Sequence, residues 1–141
     1  MPKQHLNPPD LFPSVQYGFS QIVTATPGRL VFLSGQVAWD AQQNLIGRSD
    51  LKTQTQQALR NVEKALGAAG AHMTDLVALR LYVVGYEASR DAPQITEALK
   101  VVFEGSKLPA CTWIGVAALA NDGFLIEIEA TAVVELAARV V

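Results

Sequence analysis

From Phe124 to Val134 the sequence alternates without interruption. Ile126, Ile128, Ala130 and Ala132 fall on one side, and Glu127, Glu129, Thr131 and Val133 on the other. A segment of period two is a strand with one face against an apolar layer, so the chain must build a sheet and something to cover it. Two carboxylates two residues apart are unusual on so apolar a strand. Their face meets either water or a cleft in which a carboxylate is wanted. The preceding stretch, Cys111 to Ala118, alternates small and large residues. Asn121-Asp122-Gly123 between the two is a turn signal, because Asn and Gly tolerate positive φ.

The rest of the chain supplies the layers. Residues 1–15 contain Pro2, Pro8, Pro9 and Pro13 and read as an extended arm. Phe19 to Thr26 reads as a strand, Pro27-Gly28 as a hairpin turn and Arg29 to Gln36 as a second strand paired antiparallel with the first. Gly35, near the end of that strand, marks a place where a ligand or another backbone comes close. Trp39 to Gly47 is a polar loop with a short strand at Asn44 to Ile46. Asp50 then caps a helix whose apolar face is Leu51, Ala58, Leu59, Val62, Ala65, Leu66 and Ala69, and Gly70 ends it. Leu76 to Val84 is a strand with Val77, Leu79, Leu81 and Val83 on one face. Ala78, Arg80, Tyr82 and Val84 occupy the other. A second helix begins near Asp91, takes Pro93 in its first turn, buries Ile95, Ala98, Leu99, Val102 and Phe103, and ends at Gly105.

The order ββ(β)αβαββ predicts an α+β domain spanning residues 1–141, a mixed sheet with two helices on one face. One helical layer leaves the other sheet face bare, and Val84, Trp113, Gly115, Ala117 and Val133 make it partly apolar. That face should be buried by another subunit. Half of the 141 residues are hydrophobic, so a real core is expected. The net charge of −2 and the lack of a basic block argue against a nucleic-acid partner. No apolar run approaches the ~20 residues needed to span a bilayer, which argues against a membrane partner. The polar start carries no signal peptide, and a single cysteine suits the cytoplasm.

His5 and His72 have no Cys or Asp partner at ligand spacing, so no metal site and no cofactor are expected. Neither a nucleophile elbow nor a phosphate loop is present. Glu127 is the strongest polar candidate, against the plainer reading of a structural carboxylate paired across an interface. Arg80 lies on the same side of the sheet by alternation. It is either half of an Arg–Glu salt bridge or an anion binder. Cys111 lacks a nearby base and reads more readily as a small hydrophobe than as a nucleophile. Trp113, two residues on, packs an interface or walls a cleft. Gln57 and Asn61 read as support for the fold or the interface.

The same segments carry a resemblance. Pro109-Ala110, Val116, Leu119 and Ile126-Glu127-Ile128-Glu129-Ala130 fit the signature of the Rid (YjgF/YER057c/UK114) proteins. Gly18-Phe19-Ser20-Gln21, Leu33-Ser34-Gly35-Gln36, Gln54 to Val62 and Ala69 to Val77 extend the match. The chain resembles that family over roughly Tyr17 to Val134. The resemblance implies a homotrimer with a chorismate-mutase-like topology, sheets facing inward and a small-molecule ligand in each inter-subunit cleft. It implies imine or enamine deamination, with Glu127 positioning a water, and a cleft that Glu127 shares with Phe19, Gly35, Cys111 and Trp113. Cys111 stands where the family has a carboxylate-gripping arginine, which sets 2-aminoacrylate apart as a poor substrate unless Arg80 or Arg29 holds the anion. Trp113 should shrink or reshape the pocket. Two alternatives stand beside hydrolysis: ligand binding without catalysis, and a structural or interaction role. Ribonuclease and chaperone activities are attributed to some relatives.

Overall fold

Two helices lie on one face of a four-stranded sheet, over the side on which the long strands set their buried aliphatic residues. The computed structural model of the chain describes residues 3–26, 28–103, 105 and 107–136. In chain order the elements are β1 (Lys3–Leu6), β2 (Ile22–Ala25), β3 (Gly28–Gln36), α1 (Leu51–Ala68), β4 (Leu76–Val84), α2 (Ala88–Val102), β5 (Ala110–Val116) and β6 (Ile126–Glu135). The four-stranded sheet has the order β3-β6-β4-β5, and β1 and β2 form a separate two-stranded ribbon. β6 is antiparallel to both its neighbours, whereas β5 runs parallel to β4 after the α2 crossover. The expected mixed sheet is therefore present. β4 sits between the two closing strands.

The alternation of β6 is the organising pattern. Ile126, Ile128, Ala130 and Ala132 are all buried under the helices. They meet Leu59, Val62 and Leu66 of α1, Ile95 and Leu99 of α2, and Leu79, Leu81 and Val83 of β4 in one core. Each large aliphatic side chain buried this way contributes roughly 1.5–3 kcal/mol. The Asp50 carboxylate caps α1 by accepting the Thr53 N–H. Gly70 follows the helix at φ +73°, with Ala71 N–H donating to Leu66 C=O and Gly70 N–H to Gly67 C=O. This is a Schellman ending, for which glycine is the favoured residue.

Four local expectations are corrected. β2 pairs with β1 and not with β3, so the arm is partly a strand. Pro27 lies outside the described residues. β3 instead pairs along its length with β6, where Val31 and Leu33 join a core that the four-residue β2 cannot offer. Lys3 fastens the arm through an ion pair with Asp75 at 3.3 Å. The segment Asn44 to Ile46 forms only an isolated bridge, Trp39 to Leu45. The Asp40 carboxylate draws the loop in by accepting the Gln42 and Asn44 N–H groups. α2 starts at Ala88, three residues before Asp91, and the Asp91 carboxylate folds back to accept the Glu87 N–H at 2.9 Å. Pro93 therefore lies in the second turn, exposed, beyond the first turn where its missing N–H matters least.

The fourth correction concerns the faces of β5. Cys111 stands opposite Leu79, Trp113 opposite Leu81 and Gly115 opposite Val83. Residues paired across neighbouring strands share a face, so these three face the helices. The uncovered face instead carries Thr112, Ile114 and Val116 of β5 beside Arg80, Tyr82 and Val84 of β4. It continues across β6 into Leu30 and Phe32 of β3, which are 59% and 73% exposed. The apolar bare face is there, with a different set of residues from β5 on it.

Candidate functional site

The six candidate residues fall in three places. Glu127 and Gly35 meet at the β3 edge. β3 pairs with β6 only as far as Gln36 opposite Ile128, with an irregularity between Leu33 and Gln36. Past that point β6 has lost its outer neighbour, and Glu127 sits opposite Tyr82 alone. Gly35 lies in the irregular stretch. A Cβ there would come within 2.7 Å of the Glu127 Cδ, so the residue must be glycine for the carboxylate to lie where it does. What approaches Gly35 closely is thus the Glu127 side chain.

Beyond the end of β3 the chain bends over α1 and leaves a pocket of about 640 Å³, lined by Gly35, Trp39, Asn61, Lys64, Phe124 and Glu127 among others. Its walls are fixed by polar contacts. The Asn61 amide donates to the carbonyls of Val37 at 2.7 Å and Trp39 at 2.8 Å, and accepts from the Gln57 amide at 3.1 Å. This is the supporting role read for Asn61 and Gln57 from the sequence. Trp39 meets Phe124 edge to face with ring centroids 4.8 Å apart. Asp40, also in the lining, has its carboxyl held below the usual range, chiefly by the Asn44 N–H. Among the described residues the Glu127 carboxylate forms no side-chain hydrogen bond or ion pair.

Cys111, Trp113 and Phe19 gather at the opposite edge of the sheet. Their strand is two inter-strand spacings from β6, roughly 10 Å, and Cys111 and Trp113 project from the other face. The Trp113 indole N–H donates to the Cys111 sulfur at 3.2 Å, and the Phe19 ring lies 6.1 Å from the Trp113 ring. Burial pushes the Cys111 thiol up to about 12. It stays protonated at neutral pH, and the thiolate is the nucleophilic form. Alkylation of native protein by iodoacetamide at pH 8 should therefore run at least tenfold slower than after unfolding in urea. Equal rates would contradict the half-buried, neutral thiol.

Arg80 is in neither place. Its guanidinium pairs across the strands with Glu129 at 3.2 Å, and the Tyr82 hydroxyl donates to the same carboxylate oxygen at 3.3 Å. Both charged side chains are substantially exposed, so the pair contributes little to the stability of the isolated chain. Arg29 lies near Gly70, at the end of β3 remote from Gly35. Neither arginine stands at the pocket. Trp39, Lys64 and Phe124 were not singled out from the sequence. A tryptophan in an otherwise polar loop and a phenylalanine directly after a turn were the available signals.

The family model described as Endoribonuclease L-PSP matches residues 12–134. A 2-iminobutanoate/2-iminopropanoate deaminase of Dermatophagoides farinae is 31% identical over 134 residues, spanning 95% of this chain and 98% of that protein. YyfB of Yersinia pestis, a protein of unknown function in the conserved Rid family, has a crystal structure that superposes with a TM-score of 0.89. It is 43% identical, with 95% of this chain and 100% of that one covered. A YjgF/YER057c/UK114 family structure from Mycobacterium tuberculosis gives 0.63 at 32% identity, covering 94% and 99%.

Proposed function

The chain belongs to the Rid (YjgF/YER057c/UK114) family, and from that premise we propose that it hydrolyses a small imine or enamine in a cleft completed between copies of itself. The observation that carries this reading is Glu127: a carboxylate without a protein partner among the described residues, in a pocket whose backbone is shaped around it. Such a group accepts a proton from a water adding to an imine carbon. The water oxygen bonds to carbon as the C=N π pair moves to nitrogen, and Glu127 relays the first water proton to that nitrogen; in the resulting carbinolamine the hydroxyl proton follows to nitrogen as the C–N bond breaks, releasing ammonia and a carbonyl compound. No electrons change hands, so no redox partner is needed. The pocket holds the water and limits the orientations of the imine. The net charge of −2 and the carboxylates in the lining disfavour a phosphate backbone as substrate.

Assembly into a homotrimer belongs to the same proposal. β3 and β5 are the outer strands of the sheet, and the two clusters of candidate residues lie at those two edges. A closed ring brings the β5 edge of one copy to the β3 edge of the next, which is a head-to-tail contact of the kind that rotational symmetry closes. It also buries Leu30 and Phe32. Light scattering should give three times the 15.1 kDa chain mass, and Phe32→Asp should shift the protein toward monomer. A monomeric wild type would remove the assembled cleft from the argument. Ammonia release measured across a panel of imines tests the activity. 2-Aminoacrylate is expected to be among the slowest substrates, because the pocket lining contains no guanidinium. Silence across the whole panel would leave the hydrolase reading without support.

A further inference from the structure

We propose that the ligand of this cleft is a cationic imine bearing an aromatic or comparably large apolar group; the proposal names the substrate class for the site above and rests on the two edges meeting. The first observation is a row of rings on the β5 side. Tyr17, Phe12, Phe19 and Trp113 follow one another with centroid separations of 6.5, 6.1 and 6.1 Å. Phe12 and Tyr17 remain 57% and 44% exposed, so the row is presented and not consumed by the core. The rings are not stacked face to face but tilted or edge-on, an arrangement that spreads ring edges and faces toward a guest. The second observation is the opposite wall. Trp39 is half-buried and lines the pocket beside Glu127 with the buried Phe124 ring packed edge-on behind it, so the wall opposite the row also offers an indole.

The third observation is charge. Among the described residues, the Phe12, Phe19 and Trp113 rings and the protonated Cys111 thiol of the β5 side carry no charge. On the β3 side the charged lining residues are Asp40, Glu127 and Lys64, two carboxylates against one ammonium. Arg80 is engaged by Glu129 on the bare sheet face, Arg29 lies at the far end of β3, and Arg48, beside Gly123, lines the adjoining pocket together with Asp122. An anionic ligand would meet a net negative wall and the negative faces of the rings. A cation meets attraction from both. The protonated imine is also the form that water attacks most readily. Its hydrolysis balances as R–CH=NH2⁺ plus water giving R–CHO plus ammonium, with water oxygen bonding to carbon as the C–N bond breaks.

Calorimetric titration of the assembled protein with phenethylamine, phenylacetate and butylamine at neutral pH tests the class separately from turnover. Phenethylamine should bind about tenfold tighter than either of the others, since only it combines charge with a ring. Phe12→Ala, at an exposed position that leaves the fold intact, should weaken phenethylamine by roughly threefold to tenfold. Glu127→Gln should erase the preference for phenethylamine over phenylacetate. If phenylacetate or butylamine binds as tightly as phenethylamine, or if none of the three binds, the proposed class is overturned, and hydrolysis of any imine in the panel then leaves the hydrolase reading standing. If phenethylamine binds as expected and no imine is turned over, the class is supported and the hydrolase reading fails.

Discussion

Glu127→Gln should lower imine turnover by about a hundredfold or more while the oligomer persists. The substitution keeps the shape of the side chain and removes the group that takes the proton from water, and a positioned general base is worth roughly 10²–10⁴-fold. The structure separates this outcome from a structural one. The arginine that could have depended on Glu127 is paired with Glu129 instead, so no cation is stranded by the change. Light scattering and ammonia release on the same preparation decide the matter. Loss of activity together with dissociation would reassign Glu127 to the interface. Unaltered activity would remove it from the chemistry.

The largest stability effect is expected from Gln54→Leu. Gln54 is fully buried within α1. Its amide donates to the carbonyls of Gly47 at 3.2 Å and Gly123 at 2.9 Å, and its carbonyl accepts the Leu125 N–H at 2.9 Å. Three backbone groups from two loops depend on one side chain. Leucine fills the volume and leaves all three without partners, at about 1–3 kcal/mol for each that water does not reach. A loss of about 3 kcal/mol or more in total lowers the melting temperature of a chain this size by roughly 10 °C. Thermal unfolding followed by circular dichroism reads it. A change of only a degree or two would mean that water replaces the amide. The same variant should loosen Phe124, whose neighbours Gly123 and Leu125 are the ones held, and so weaken ligand binding.

Periodicity made the core of the fold legible. Ile126, Ile128, Ala130 and Ala132 could face only one way, as could Leu79, Leu81 and Val83, and the helix caps at Asp50 and Gly70 have the residue types that their backbones require. The side taken by Cys111 and Trp113 was not legible. Both alternating sets of β5 contain apolar residues, so the choice rests on parallel register with β4, a tertiary fact. Pairing of β1 with β2 was hidden for a different reason. Prolines at 8, 9 and 13 mark an extended arm without saying what it lies against. Of the site, the carboxylate and the glycine beside it could be picked out by residue type. The clustering of the other candidates could not, because it depends on which sheet edges adjoin.

The early stop of β3 has a consequence for how such a protein can change its chemistry. The room around Glu127 is made by backbone: a strand that quits while its neighbour continues, a glycine, and a loop pinned by Asn61. A side chain added at Gly35 would run into the Glu127 carboxylate, which makes this the conservative half of the cleft. The β5 half is built from side chains alone, held on an otherwise regular strand. It can exchange a cation for a thiol, or a small residue for an indole, with the strand left as it was. Division of labour between a half written in backbone and a half written in side chains lets ligand preference drift while the water-handling carboxylate stays in place.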